Sequence, residues 1–294
     1  MSRRGNVPHV ATTSKSKRLL KRLTGRLGQS DGGGSVDGTG GGTPLPPSPS
    51  EPGSRKVTSG FFDKYPLFYE SSETATHPGR LNLRHQAMFG DNLDIFEGAR
   101  VLDIASHDGR WSFAALEAGA ASVLGVEGRP DLVANANRTF EHYGADPERY
   151  RFVADDLFHA LAEEQGEFDV VLCLGFLYHT LRYNELFARI RQFNPKYLII
   201  DTQVAKGDYL VIRLRVENSG LQSNAIADDL SYGGRVLTGR PTVSALEAIA
   251  DAYGFELERY SDWAGLLRDN TENASHYAAY SSGARVTARF KSVT

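Results

Sequence analysis

Residues 101–128, VLDIASHDGRWSFAALEAGAASVLGVEG, constrain the fold of this 294-residue chain more than any other stretch. They read as an apolar strand over 101–104, a tight turn through Ala105, Ser106, His107, Asp108 and Gly109, a helix of small and apolar residues, and a second strand over 122–126. Glu127 stands at that strand's carboxyl end. In an open parallel sheet a ligand lies outside the carboxyl ends of the strands, and an acid about 20 residues past the turn accepts hydrogen bonds from ribose hydroxyls. The stretch predicts a nucleoside-binding half-fold.

What the turn lacks narrows the nucleoside. A dinucleotide site wants G-x-G-x-x-G, because a pyrophosphate must press against bare backbone at a helix N-terminus. Here Ala105 and His107 stand at the first two of those positions, and Gly109 alone keeps the small side chain of a close approach. A ligand with a ribose but no phosphates tolerates this turn better than NAD. The run resembles the first two motifs of class I S-adenosylmethionine-dependent methyltransferases, D-x-G-x-G-x-G followed by an acid ending the second strand. Asp103 matches the first acid, Ala105 and His107 replace two glycines, Gly109 matches the third, and Glu127 matches the ribose acid.

Further motifs follow in the family's order. YRFVADD over 150–156 is a β-rich run ending in two acids, and the resemblance puts Asp155, with Asp156 beside it, at the exocyclic amine of adenine. FDVVLCLGF over 168–176 has the continuous apolar character of a central parallel strand and closes into Leu177, Tyr178, His179 and Thr180, as in the fourth motif. YLIIDTQV over 197–204 supplies a fifth strand. The resemblance covers roughly residues 60–294. It implies an α/β, Rossmann-like, seven-stranded and mostly parallel sheet with helices on both faces and an antiparallel last strand, S-adenosylmethionine as cofactor, and cofactor contacts from Asp103, Ala105, His107, Gly109, Glu127, Asp155 and Asp156.

The first 57 residues differ from the rest. Residues 1–30 carry eight Lys/Arg and no acid, and residues 31–53 are mainly Gly, Pro and Ser. Such a segment buries too little apolar surface to offset its ordering entropy, so a disordered tail is expected. Within it, KSKRLLKRLTGRL sets leucines near one helical face among basic residues, a pattern that can contact an anionic membrane surface weakly, serve as a transit peptide, or simply be solvated. Of 33 basic and 36 acidic residues, the first 57 hold ten and three, leaving 23 against 33, a net charge of −10, over residues 58–294. Nucleic-acid binding is dominated by Lys/Arg neutralising phosphates, so no nucleic-acid partner is expected. The single cysteine, Cys173, falls inside the fourth strand and can form no internal disulfide, and a cytoplasmic setting fits.

Residues 58–97 are rich in aromatics and predict a helical lid segment after Pro78, where Arg84 or His85 could face the methionine carboxylate or the substrate, or the aromatics simply pack on the sheet. Residues 98–294 then form the methyltransferase domain. An insertion over 205–240 departs from the family core: residues 209–216 alternate like a half-exposed strand and the Gly-rich remainder reads as a loop or flap shaping the acceptor pocket. The domain closes with a helix starting at Pro241 and strands over 255–262 and 285–292.

A positioned base is needed to methylate a hydroxyl. His179, just past the fourth strand, is the first candidate, with pocket wall as the alternative role, and Tyr178 packs on the cofactor or bonds the acceptor. Asp201, at the end of the fifth strand, is one oxygen ligand for Mg²⁺ with no companion carboxylate, so no metal site is assigned. The expected activity is methyl transfer to a small-molecule acceptor, a hydroxyl of a sugar, glycoside or natural product. A non-catalytic cofactor-binding module and a tRNA-modifying relative sharing Leu-Tyr-His are the alternatives.

Overall fold

The computed structural model describes residues 60–70, 77–228, 230–271 and 274–293. The basic and Gly/Pro-rich parts of residues 1–57, and the expectation of a tail there, lie outside the described residues. Helix α1 (Pro78–Met88) precedes an alternation of β1 (Arg100–Ile104), α2 (Arg110–Glu117), β2 (Ser122–Glu127), α3 (Pro130–His142), β3 (Tyr150–Ala154), α4 (Leu157–Glu163), β4 (Val170–Leu174), α5 (Tyr183–Gln192) and β5 (Tyr197–Gln203). Strands β6 (Ile212–Asn218) and β7 (Arg235–Pro241) follow, then α6 (Val243–Ala252), β8 (Phe255–Tyr260), α7 (Trp263–Asp269) and β9 (Arg285–Ser292).

Seven strands form one sheet in the order β3-β2-β1-β4-β5-β9-β8. β1 to β5 are parallel, and β9 runs antiparallel to both β5 and β8. This is the expected Rossmann-like architecture. Strand order reverses between β1 and β4, so a crevice opens beyond their carboxyl ends.

Alternation along the strands sorts side chains to two helical layers. Leu102, Ile104, Val171, Cys173, Leu198 and Ile200 join Leu161, Phe187 and Leu246 of α4, α5 and α6 on one face. Val101, Val170, Leu172 and Ile199 join Met88, Phe113 and Phe140 of α1, α2 and α3 on the other. Asp103 and Asp201, two residues past Val101 and Ile199, therefore point into the second layer, and both are essentially unexposed. Cys173 is core, its thiol pushed up to about 12 chiefly by burial.

The insertion is more ordered than its composition suggests. β6 and β7 pair as a separate two-stranded antiparallel ribbon, so the Gly-rich remainder holds a second strand that the expected loop omits. β7 also takes Pro241, which moves the start of α6 to Val243. Thr242 caps that helix, its Oγ1 accepting from Ala245 N at 3.2 Å. Among the described residues no helix is long and apolar enough to cross a membrane.

Candidate functional site

The turn after β1 keeps the backbone of a glycine motif without its glycines. Ala105, His107 and Gly109 have φ of +54°, +55° and +76°, all left-handed. For a residue with a Cβ that conformation costs on the order of 1–3 kcal/mol and persists only where neighbours enforce it. Here three bonds do: Ser106 N donates to Val126 O, His107 N to Glu127 Oε2 and Gly109 N to Ser106 O, each at 2.9 Å. A Cβ on Gly109 would lie 2.8 Å from Phe152 and 2.9 Å from Phe140, so this glycine serves the packing of α2 against β3 and α3. This packing is a requirement separate from the ligand approach expected of Gly109.

Asp103 accepts from Ser112 Oγ at 2.7 Å, tying β1 to α2, and burial pushes its carboxyl up to about 7. The ion pair beside it escapes sequence reasoning. Asp108 takes Arg110 Nε and Nη2 at 2.6 Å each, with both residues buried. Burial opposes ionisation of Asp108, yet the Arg110 guanidinium and His107 hold its carboxyl well below the usual range.

Glu127 is 6% exposed at the end of β2. Its Oε2 accepts from His107 N and its Oε1 from Arg129 N at 3.0 Å. A carboxylate oxygen has two acceptor positions, so each still offers one, an arrangement suited to the paired hydroxyls of a ribose.

The two acids after β3 diverge. Asp156 caps α4, its Oδ1 accepting from Phe158 N at 2.9 Å and His159 N at 3.1 Å. Asp155 instead pairs with His159 Nδ1 at 2.6 Å and is partly exposed, while its backbone N bonds Glu127 O at 3.1 Å. The sequence pattern of an acid opening an apolar helix was the available signal for the cap.

Beyond β4 the chain turns at Gly175, φ +99°, into a single 3-10 turn, Leu177–His179. His179 Nδ1 lies 2.9 Å from Glu217 Oε2 on β6, and Ala225 N donates to the same oxygen at 3.1 Å. Burial would raise the Glu217 carboxyl, but these bonds outweigh it and hold the group low. An ionised carboxylate can only accept, so it fixes the proton on Nδ1 and leaves Nε2 of the neutral ring as an acceptor. The Tyr178 ring sits 4.2 Å from that of His179, and its hydroxyl accepts from Arg285 Nη1 at 3.3 Å. Glu217 is the site residue that sequence reasoning missed; a lone acid on an alternating strand gave no pointer to His179.

Asp201 is enclosed. It accepts from Arg84 Nη2 at 3.1 Å, Arg285 Nε at 2.6 Å, Tyr280 OH at 2.9 Å and Thr287 Oγ1 at 2.7 Å, with Arg285 Nη2 closer still. Burial opposes its charge, but Arg285 and Arg84 hold the carboxyl down at about 2. Its oxygens bind the protein itself, and among the described residues no group of three or more His, Cys, Asp or Glu could hold a metal. Arg84 thus faces β5. His85 stacks on Phe61 with ring centroids 4.1 Å apart, and burial pushes its imidazole down to about 3.

The inserted segment returns over the carboxyl ends of the strands. Arg129 Nη2 donates to Gln222 O and Asn224 O at 3.0 Å each, and a Cβ on Gly128 would meet Ile226 Cδ1 at 2.5 Å. Residues 221–226 therefore lie against the segment following Glu127, while Glu217 reaches His179.

Residues 101–194 match the model of a family described as a methyltransferase domain. Curated proteins give no match. The fold is similar to that of an S-adenosylmethionine-dependent methyltransferase from Mesorhizobium loti, with 18% identity, a TM-score of 0.52, and 71% of this chain and 99% of that one covered. It is also similar to magnesium protoporphyrin IX methyltransferase from Synechocystis, solved with bound SAH, at 15% identity and a TM-score of 0.50, covering 79% and 94%. The strand order, the shaped turn and the acid closing β2 agree with that match over residues 101–194, and the sheet has the fold of these methyltransferase structures.

Proposed function

We propose that the chain is an S-adenosylmethionine-dependent methyltransferase acting on a hydroxyl of a small molecule, of sugar, glycoside or natural-product type, in the cytoplasm and without a nucleic-acid partner. The family match and the likeness to methyltransferase folds support the class of reaction. The His179–Glu217 pair carries the finer reading, because a histidine oriented by a carboxylate at the β4 rim is what deprotonation of a hydroxyl requires.

The residues fit the cofactor at Glu127, whose two open acceptor positions match a ribose diol. The sulfonium of bound S-adenosylmethionine supplies an electrophilic methyl. His179 Nε2 accepts the acceptor's proton, and the resulting imidazolium is stabilised by Glu217, which is already ionised. Tyr178 walls the position between the imidazole and Arg285. Residues 221–226, held by Arg129, would lie beside the ribose end.

Calorimetric titration with S-adenosylmethionine and with NADH, followed by methyl-transfer assays on sugar and glycoside hydroxyls, tests the proposal. Micromolar binding of the first alone and turnover that collapses in His179→Ala are expected. Binding of neither nucleotide would favour a non-catalytic module, and turnover on RNA would favour the tRNA-modifying alternative.

A further inference from the structure

Arginines gather on two sides of Tyr178. Behind it, Arg84 and Arg285 converge on Gly175, where a Cβ would meet Arg285 Nη2 at 3.3 Å and Arg84 Nη2 at 3.9 Å. Each arginine is 6% exposed, and Asp201 is the acid paired with both among the described residues. The buried trio therefore carries one positive charge in excess, and an uncompensated buried charge is costly. Arg84 Nε is buried and has no hydrogen-bond partner among the described residues.

In front of Tyr178 the inserted ribbon adds more. Residues two apart on a strand share a face, and so do residues directly opposed across a ladder. Glu217 touches His179, so its face of the ribbon, which also bears Arg213, Arg215, Thr238 and Arg240, is the one turned to the β4 rim. Arg213 is paired directly with Arg240. Like charges in that relation destabilise a ribbon. Arg240 Nε and Thr238 Oγ1 are buried without partners among the described residues. Arg240 also lies near enough to Tyr178 and Glu217 to sense their charges.

We propose that the methyl acceptor carries an anionic group, a carboxylate or phosphate, docked between Arg240 and Arg213 of the ribbon and the Arg84–Arg285 pair, beside Tyr178. The inference rests on the methyltransferase reading and names its substrate class. Guanidinium forks match the planar geometry of such oxyanions and give charge-assisted bonds. An anion there would use the orphaned donors and relieve both repulsions. The −10 charge of residues 58–294 repels a long polyanion while the local cluster attracts a small one, which points to a compact acceptor.

The test uses the full chain saturated with S-adenosylhomocysteine and titrates benzoate and phenyl phosphate against neutral benzamide. The anions should bind at least about tenfold more tightly than benzamide, and Arg240→Gln should remove that preference with S-adenosylhomocysteine affinity unchanged. Arg84→Gln should do the same. Because that change leaves Asp201 less well paired, Arg240→Gln carries the test if Arg84→Gln fails to fold. No charge preference in the wild type, or a preference intact in Arg240→Gln, overturns the proposal. A loss of S-adenosylhomocysteine affinity in Arg84→Gln, with binding of methylthioadenosine unaffected, also overturns it by assigning the pair to the cofactor's own carboxylate. Repeating the anion titrations without S-adenosylhomocysteine separates the two readings: a wild type that binds anions but no S-adenosylhomocysteine sinks the methyltransferase reading alone.

Discussion

His179 Nδ1 and Glu217 Oε2 meet at 2.9 Å across 38 positions of sequence, joining the rim of the sheet to a ribbon inserted after β5. If His179 is the base, His179→Ala should lower kcat by roughly 10²- to 10⁴-fold. Glu217→Gln should lower it less, because the imidazole stays but loses both its fixed tautomer and its counter-charge. A fall below tenfold in His179→Ala would leave the histidine as pocket wall.

Glu127 holds the amides of His107 and Arg129, and in the proposed function it also offers its open positions to a ribose. Glu127→Ala should weaken S-adenosylmethionine binding by about 1.5–3 kcal/mol. Calorimetry reads the change directly, and an unaltered affinity would place the ribose elsewhere.

Asp103 and Asp201 should shape the pH dependence of stability in opposite senses. The Asp103 carboxyl, pushed up to about 7, disfavours its own ionisation in the folded chain, so its contribution is full below about pH 4 and is lost as pH rises toward 7. Asp201, held down at about 2, contributes stability above about pH 4 that is lost as pH falls toward 2. Asp103→Asn should therefore stabilise at pH 8 by on the order of 2 kcal/mol and lose that advantage near pH 4. Asp201→Asn should cost about 3–5 kcal/mol at neutral pH by stranding two buried guanidinium groups. Denaturant titrations at both pH values read both effects, and a pH-independent gain for Asp103→Asn would contradict the first.

Two substitutions in one turn should differ in sign. Gly109→Ala must hold a Cβ at φ +76° against two phenyl rings and should destabilise by more than about 2 kcal/mol. Ala105→Gly removes strain at φ +54° and should be neutral or stabilising by up to about 1 kcal/mol. Equal effects in thermal melts would show that φ is not what sets these positions.

The sheet was legible because five apolar runs of strand length, separated by helical patterns, leave few alternatives, and the turn was legible because Asp103, Gly109 and Glu127 keep the family's spacing. Other features were not. Arg285 lies 84 positions from Asp201 and Arg84 lies 117, so no spacing rule could show that this acid faces two arginines. β7 escaped notice because its polar Thr238 is buried and its apolar Leu237 is half exposed, which inverts the usual signal. Ala105 and His107 look like lost glycines by residue type, yet the backbone they trace is the glycine one.

Arg129 bears on more than packing. Its amide steadies Glu127, where the ribose would lie, and its guanidinium clasps the carbonyls of Gln222 and Asn224 in the segment that leads from Glu217 toward β7. In the proposed function, one residue thus links the donor's ribose acid to the segment next to the acceptor. Whatever the donor gains by settling this segment the acceptor gains too, since such a coupling free energy is the same in either direction. Donor and acceptor would then bind cooperatively, each making the other's place ready.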